Sequence, residues 1–301
     1  MFEIKQSLDR RDVGQIADPS RTSALNPTDV PAVAARYLNA SVREALAERG
    51  VSYVDATGNI RIAIDEPAMF MSDRGEDRDP WRRGRPLGTL KGQPAARVTR
   101  ALLDYRRDWS VRELVTASGA STGGTYRVLE HLSREDLVTK DSTRYRVTDW
   151  ERLLREWSND APFHVTSRAM SFIEPRGVET FLRKLADDPP FALALTGSMA
   201  AQEWVTYAPA KVAQVYVASI EQAAEHWGLR ANSAAPNVIL LEPSSTDDVP
   251  FVNTVRSQAG HTVAAPPQVA ADLLNGPGRQ PAEGDHLIQW LQTHEAQWRR
   301  D

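Results

Sequence analysis

Apolar positions along the chain fall into short periodic runs separated by polar turns, and residues 93–148 form the most regular block. Val98, Ala101, Leu102 and Tyr105 recur at spacings of three and four, which predicts a helix from Pro94 to about Tyr105. Asp108-Trp109 breaks that pattern. Ser110 with Glu113 three residues on is a capping box, so a second helix opens there, with Leu114, Val115 and Ala117 on its apolar side. It stops at Gly119, which takes a left-handed backbone cheaply. Ser121 suits the cap of a third helix that runs to about Arg134 and turns Val128, Leu129 and Leu132 inward. Residues 137–140 and 144–147 alternate as two strands about a turn at 141–143.

The flanks are less regular. Residues 1–31 are polar and predict an arm with at most a short strand or helix. A helical spacing starts at Ala32, with Val33, Tyr37 and Leu38 on one face, and a second helix covers 41–49. Strands are predicted at 51–55 and 60–64 around a Gly-Asn turn, with an edge strand at 67–71. Residues 72–86 are charged and rich in Gly and Pro, which predicts a linker. Asp149 caps a helix at 150–157. Beyond residue 161, strands (163–166, 172–174, 191–195, 213–217, 237–241, 262–265) alternate with helices (177–185, 199–204, 220–227, 267–274, 284–298). The expected fold class is therefore α+β, in three domains: a small N-terminal α/β unit (1–80), a central helical domain with a hairpin (81–160) and a C-terminal α/β domain (161–301).

Three helices followed by a two-stranded hairpin is the layout of a winged helix-turn-helix. In that geometry the third helix enters the major groove and its first turns meet base edges. Ser121, Thr122, Thr125, Tyr126 and Arg127 lie on those turns, with Tyr126 and Arg127 as the base readers; Lys140, Arg144 and Arg146 lie on the hairpin. Charge agrees with this layout. Residues 81–146 hold 14 Lys/Arg against 7 Asp/Glu, a net +7, while the whole chain is −4, so the remainder carries −11. A basic island in an acidic chain suits a polyanionic partner bound in a salt-dependent way. Arg82, Arg83 and Arg85 precede the block. Two readings of them stand, an arm for the minor groove or a solvated linker. The layout also admits use as a protein-docking module.

Candidate chemistry is thin. With no cysteine in the sequence, a disulfide scaffold and thiol catalysis are excluded, which suits a reducing cytosol. No apolar run approaches the ~18 residues of a membrane span, so a cytoplasmic location is expected. The six histidines show no metal-ligand spacing. Asp55 and Asn59 invite comparison with a nuclease strand pair, but the next strand reads Asn59-Ile60-Arg61-Ile62 and lacks the Glu and Lys needed to hold Mg²⁺; Asp55 reads as the cap of its turn. Thr196-Gly197-Ser198 after a strand suits the phosphate turn of a nucleotidyltransferase, yet residues 212–218 carry no carboxylate. The expectation is a protein that is not an enzyme, with no catalytic residues, no metal and no cofactor.

The central block, then Thr196-Gly197-Ser198-Met199-Ala200-Ala201, then the helix with Gln268, Asp272 and Leu273, resembles bacterial, actinobacterial-type regulators related to the AbiEi-like antitoxins of type IV toxin–antitoxin systems. The resemblance spans about residues 88–291, with about 85 residues preceding it. The N-terminal unit around Tyr53-Val54-Asp55 is similar to a domain of related proteins and suggests a relic nuclease fold. The resemblance implies a DNA-binding transcription regulator acting as a repressor, with double-stranded DNA as partner. A homodimer on an inverted repeat and a protein partner on the C-terminal domain are further candidates. The alternatives are an antitoxin-like interaction protein or a nucleotidyltransferase or nuclease.

Overall fold

A computed structural model describes residues 2–5, 8–16, 30–76, 79–81, 89–187, 189–244 and 248–301. Helices and strands are interleaved throughout, an α+β architecture. The chain divides into two compact units: Met1–Gly88 with Leu129–Lys140, and Thr89–Val128 with Asp141–Asp301.

The first unit is built on a five-stranded sheet. Its elements are β1 (Phe2–Lys5), α1 (Arg10–Ile16), β2 (Ala32–Ala35), α2 (Ala40–Glu48), β3 (Ser52–Asp55), β4 (Ile60–Ile64) and β5 (Met69–Asp73), and the strands stand in that order. β1, β2 and β3 are parallel; β4 and β5 return antiparallel. The Asn39 side chain accepts from the Val42 N–H and so fixes the start of α2. Leu8, Val13, Ile16, Val33, Leu38, Val42 and Leu46 form the core between helices and sheet. The helix expected from Ala32 is instead β2. Four residues, three of them alanine, are too few to show a period, and pairing on both sides overrides alanine's helical preference.

The second unit begins with α3 (Gln93–Asp104), α4 (Val111–Ser118) and α5 (Thr122–Arg134), the last continuing past Val128 into residues of the first unit. β6 (Val138–Asp141), whose first three residues belong to the first unit, and β7 (Arg144–Val147) are the strands of a two-stranded sheet. Then follow α6 (Trp150–Asp160), α7 (Phe163–Thr166), β8 (Ser167–Ile173), α8 (Val178–Ala186), β9 (Leu193–Thr196), α9 (Gly197–Ala201), β10 (Ala213–Val217), α10 (Ile220–Trp227), β11 (Arg230–Ala231), β12 (Val238–Pro243), a 3₁₀ turn at Val249–Phe251, β13 (Val255–Arg256), β14 (Thr262–Val263), α11 (Pro266–Leu274), α12 (Gln280–Thr293) and α13 (Glu295–Trp298). The seven-stranded sheet runs β11-β8-β12-β10-β9-β14-β13, parallel at β12/β10 and β9/β14 and antiparallel elsewhere. Residues 163–166, expected as a strand, are the single turn α7, and the strand starts after them.

Two arginines fasten α3 to the rest of this unit. Arg100 is 1% exposed. Its guanidinium pairs with Asp104 one turn on and donates to the Val249 and Val252 carbonyls and to Gln268 Oε1. Arg299 donates to the Leu102, Leu103 and Tyr105 carbonyls, which satisfies the open C-terminal end of α3. The boundary expected at 160/161 falls inside this unit, where the Ser158 hydroxyl of α6 donates to the Ala271 carbonyl of α11.

Removing one partner of a buried ion pair leaves an uncompensated charge, worth ~3–5 kcal/mol. Arg100→Ala should therefore destabilise the second unit by about that amount in urea unfolding. Arg97→Ala, which breaks a partly exposed pair with Asp248, should cost no more than ~1 kcal/mol. Equal, small effects would contradict this account of the packing.

Candidate nucleic-acid interface

The segment from α4 to α5 is set by local caps. Ser110 and Glu113 exchange both hydrogen bonds of the capping box, and Gly119 closes α4 with φ 64° and its N–H on the Val115 carbonyl. The Ser121 hydroxyl accepts from the Gly124 N–H, so Ser121 is the cap of α5. A first side-chain carbon at Gly124 would lie 3.2 Å from Pro94 Cβ, so glycine there permits α5 and α3 to meet closely.

Along α5 the expected residues part company. Ser121, Thr122, Tyr126 and Arg127 are exposed, Tyr126 by 54%. Arg127 Nε donates back to the Gly123 carbonyl one turn earlier. Thr125 is a correction: it is 0% exposed and its hydroxyl donates to the Ser121 carbonyl, so it faces the interior and cannot touch a base. Thr125 lies three, four and seven residues before Val128, Leu129 and Leu132, and that spacing was the signal for it.

The hairpin is pinned by a third backbone segment. Trp109 and Tyr145 exchange N–H···O bonds of 2.8 and 2.7 Å, and both side chains are buried. Trp109 meets Tyr105 edge-on at 5.6 Å. Alternation about buried Tyr145 turns Arg144 and Arg146 outward, and Lys140 is exposed on β6. The outward arginines are engaged. Arg146 makes a two-point ion pair with Asp108 (2.7 and 2.7 Å). Arg144 donates to Glu113 (3.1 Å) and to the Asp108 carbonyl (2.8 Å), and Arg107 reaches the other Glu113 oxygen at 3.1 Å. The hydrogen bond from Arg146 holds the Asp108 carboxyl below its usual range. Glu113 is lowered to about 2, first by the Ser110 hydrogen bonds and then by the Arg144 and Arg107 charges. The sequence reading missed this role of Asp108 and Glu113, because their hairpin partners Arg146 and Arg144 are 38 and 31 residues away.

Two other members of the basic island are engaged within the fold: Arg100 is buried and Arg97 is paired to Asp248. Arg82, Arg83 and Arg85 lie outside the described residues. The residue before them, Trp81, lies under the Arg36 guanidinium at 4.7 Å.

Two further polar clusters, at Asp55 and at the turn after β9, are closed within the fold. Asp55 accepts from the Leu38, Thr57 and Asn59 N–H groups and from the Thr57 hydroxyl and Asn59 amide. Burial pushes its carboxyl up, and these hydrogen bonds from Thr57, Asn59 and Leu38 more than offset that, leaving it below the usual value. Gly75 closes the cluster: a side-chain carbon there would sit 2.1 Å from the Thr57 carbonyl oxygen. The carboxylate is thus occupied in holding its turn. At the β9–α9 turn the Thr196 hydroxyl donates to Asp272, which also accepts from Tyr216 and Gln268. Gln268 in turn accepts from Arg100. Gly197 has φ 67°, and a side chain there would collide with Gln214 Oε1 at 2.0 Å. The glycine at this turn has a packing reason independent of any phosphate.

No family model, no curated protein and no solved structure matches the chain. Among the described residues no helix is long and apolar enough to cross a membrane.

Burial raises the Asp272 carboxyl to about 6, against the opposing pull of Thr196, Gln268, Tyr216 and the Arg100 charge. The folded state therefore favours the neutral acid. Its contribution is fully present below about pH 4 and is lost as pH rises through about 6, amounting to ~3 kcal/mol. Asp272→Asn mimics the neutral acid. Its stability relative to the parent chain, followed by thermal unfolding from pH 4 to 7.5, should rise by up to that amount. A difference independent of pH would contradict the assignment.

Proposed function

We propose that this chain is a sequence-specific double-stranded DNA-binding transcription regulator, acting as a repressor through a winged helix-turn-helix. The observation that carries the reading is the solvent-facing start of α5. Ser121, Thr122, Tyr126 and Arg127 are exposed there while Thr125 and Val128 anchor the same turns inside. Hydroxyl, phenol and guanidinium groups at a helix start are the chemistry that reads base edges and phosphates in the major groove. Arg144, Arg146 and Lys140 on the β6–β7 wing supply cations suited to the backbone beside the groove. The charge imbalance of residues 81–146 supports a polyanion, and the resemblance to AbiEi-like regulators supports a role at a promoter.

In this reading Tyr126 and Arg127 carry sequence information and Lys140 carries only charge. Arg127→Ala should remove ~1–3 kcal/mol of preference for the cognate site, while Lys140→Ala should weaken all duplexes alike and reduce the salt slope by about one. Selection of bound genomic fragments would supply the site, and anisotropy titrations across salt would measure both effects. Equal binding of cognate and scrambled duplexes by the parent chain would overturn the proposal. Recovery of a protein partner that competes with DNA for this face would favour the antitoxin-like alternative.

A further inference from the structure

Asp108 and Glu113 occupy the guanidinium groups of the wing and of the segment before α4. Their four oxygens engage three arginines of the α4 and wing region: Arg146 by two parallel contacts, Arg144 by both Glu113 oxygens (3.1 and 3.4 Å) besides the Asp108 backbone carbonyl, and Arg107 by one. All three cations lie at the surface, Arg146 with 71% of its side chain exposed. Exposed ion pairs of this kind contribute little to stability, so packing alone does not account for satisfying so many cations at once. The two carboxylates differ in one respect. Glu113 also accepts the Ser110 N–H and is needed for the start of α4. The Asp108 carboxylate has Arg146 as the main partner holding it ionised.

Resting on the DNA-binding reading above, we propose that Asp108 and Glu113 are specificity-determining residues. They act as resident anions that occupy the wing arginines until a duplex phosphate displaces them. A mixed-sequence duplex offers phosphate contacts alone, and each must displace a carboxylate, so indiscriminate binding is held down. A cognate duplex adds base contacts along α5 and overcomes the same opposition. The displaced carboxylate then takes up a solution cation, which cancels part of the counterion release from DNA and flattens the salt dependence.

The test uses the full chain and a labelled mixed-sequence duplex, titrated by anisotropy between about 50 and 200 mM salt. Asp108→Asn should tighten binding roughly two- to fivefold at the lower salt and steepen the log–log salt slope by about one. Asp108→Asn combined with Arg146→Gln should lose that gain, because the cation released by the first change is gone. Glu113→Gln keeps an acceptor for the Ser110 N–H and should move binding in the same direction. Thermal unfolding of each variant checks that the fold is intact. If Asp108→Asn binds with unchanged or reduced affinity and an unchanged slope, the resident-anion proposal falls and the DNA-binding reading stands. If neither the parent chain nor Asp108→Asn binds duplex at the lower salt, the DNA-binding reading itself falls.

Discussion

The buried guanidinium of Arg100 is the contact on which the second unit depends. It joins α3 to the loop carbonyls of Val249 and Val252 and to Gln268 of α11, and Gln268 passes the connection on to Asp272, Thr196 and Tyr216. A buried charge is tolerable only when its partners are in place. The polar chain from α3 to the centre of the seven-stranded sheet therefore stands or falls as one. That dependence explains why α3 and the C-terminal sheet belong to one unit although the sequence suggests a boundary between them.

The anchoring of α3 bears on the proposed interface. α5 approaches α3 through Gly124 and Pro94, and β7 is tied to residues 105–109 by Trp109 and Tyr145. The start of α5 and the outward arginines of β7 are thus both referred to the same helix. Groups that must meet a duplex at fixed spacing gain from being held on regular elements with little freedom to lose on binding. The carboxylates of Asp108 and Glu113 belong to this frame as well, and so set the charge that the arginines present.

What was legible in the sequence was what is local. Ser110 with Glu113, Gly119, Ser121 and Asp149 all take the capping roles their spacing predicts, because each cap is decided within four residues. What was illegible depends on distant partners. Arg100 reads as one more cation of a basic island, yet its partners Val249 and Gln268 are 149 and 168 residues away. β2 was misread because three of its four residues are alanine and mark no face, and α7 because Phe163-His164-Val165-Thr166 alternates as a strand would. Thr125 was misread for a different reason: its hydroxyl chemistry was weighed, while its place on the face of Val128, Leu129 and Leu132 was not.

The central claim is that the start of α5 and the outward side of β7 together form a surface for duplex DNA. Hydrogen–deuterium exchange of the full chain with and without a bound duplex tests it most directly. The account predicts new amide protection confined to residues 121–128 and 143–147, with the sheet of β8, β12 and β10 unchanged. Protection absent from those two segments while duplex is bound, or confined to residues 32–73, would contradict it.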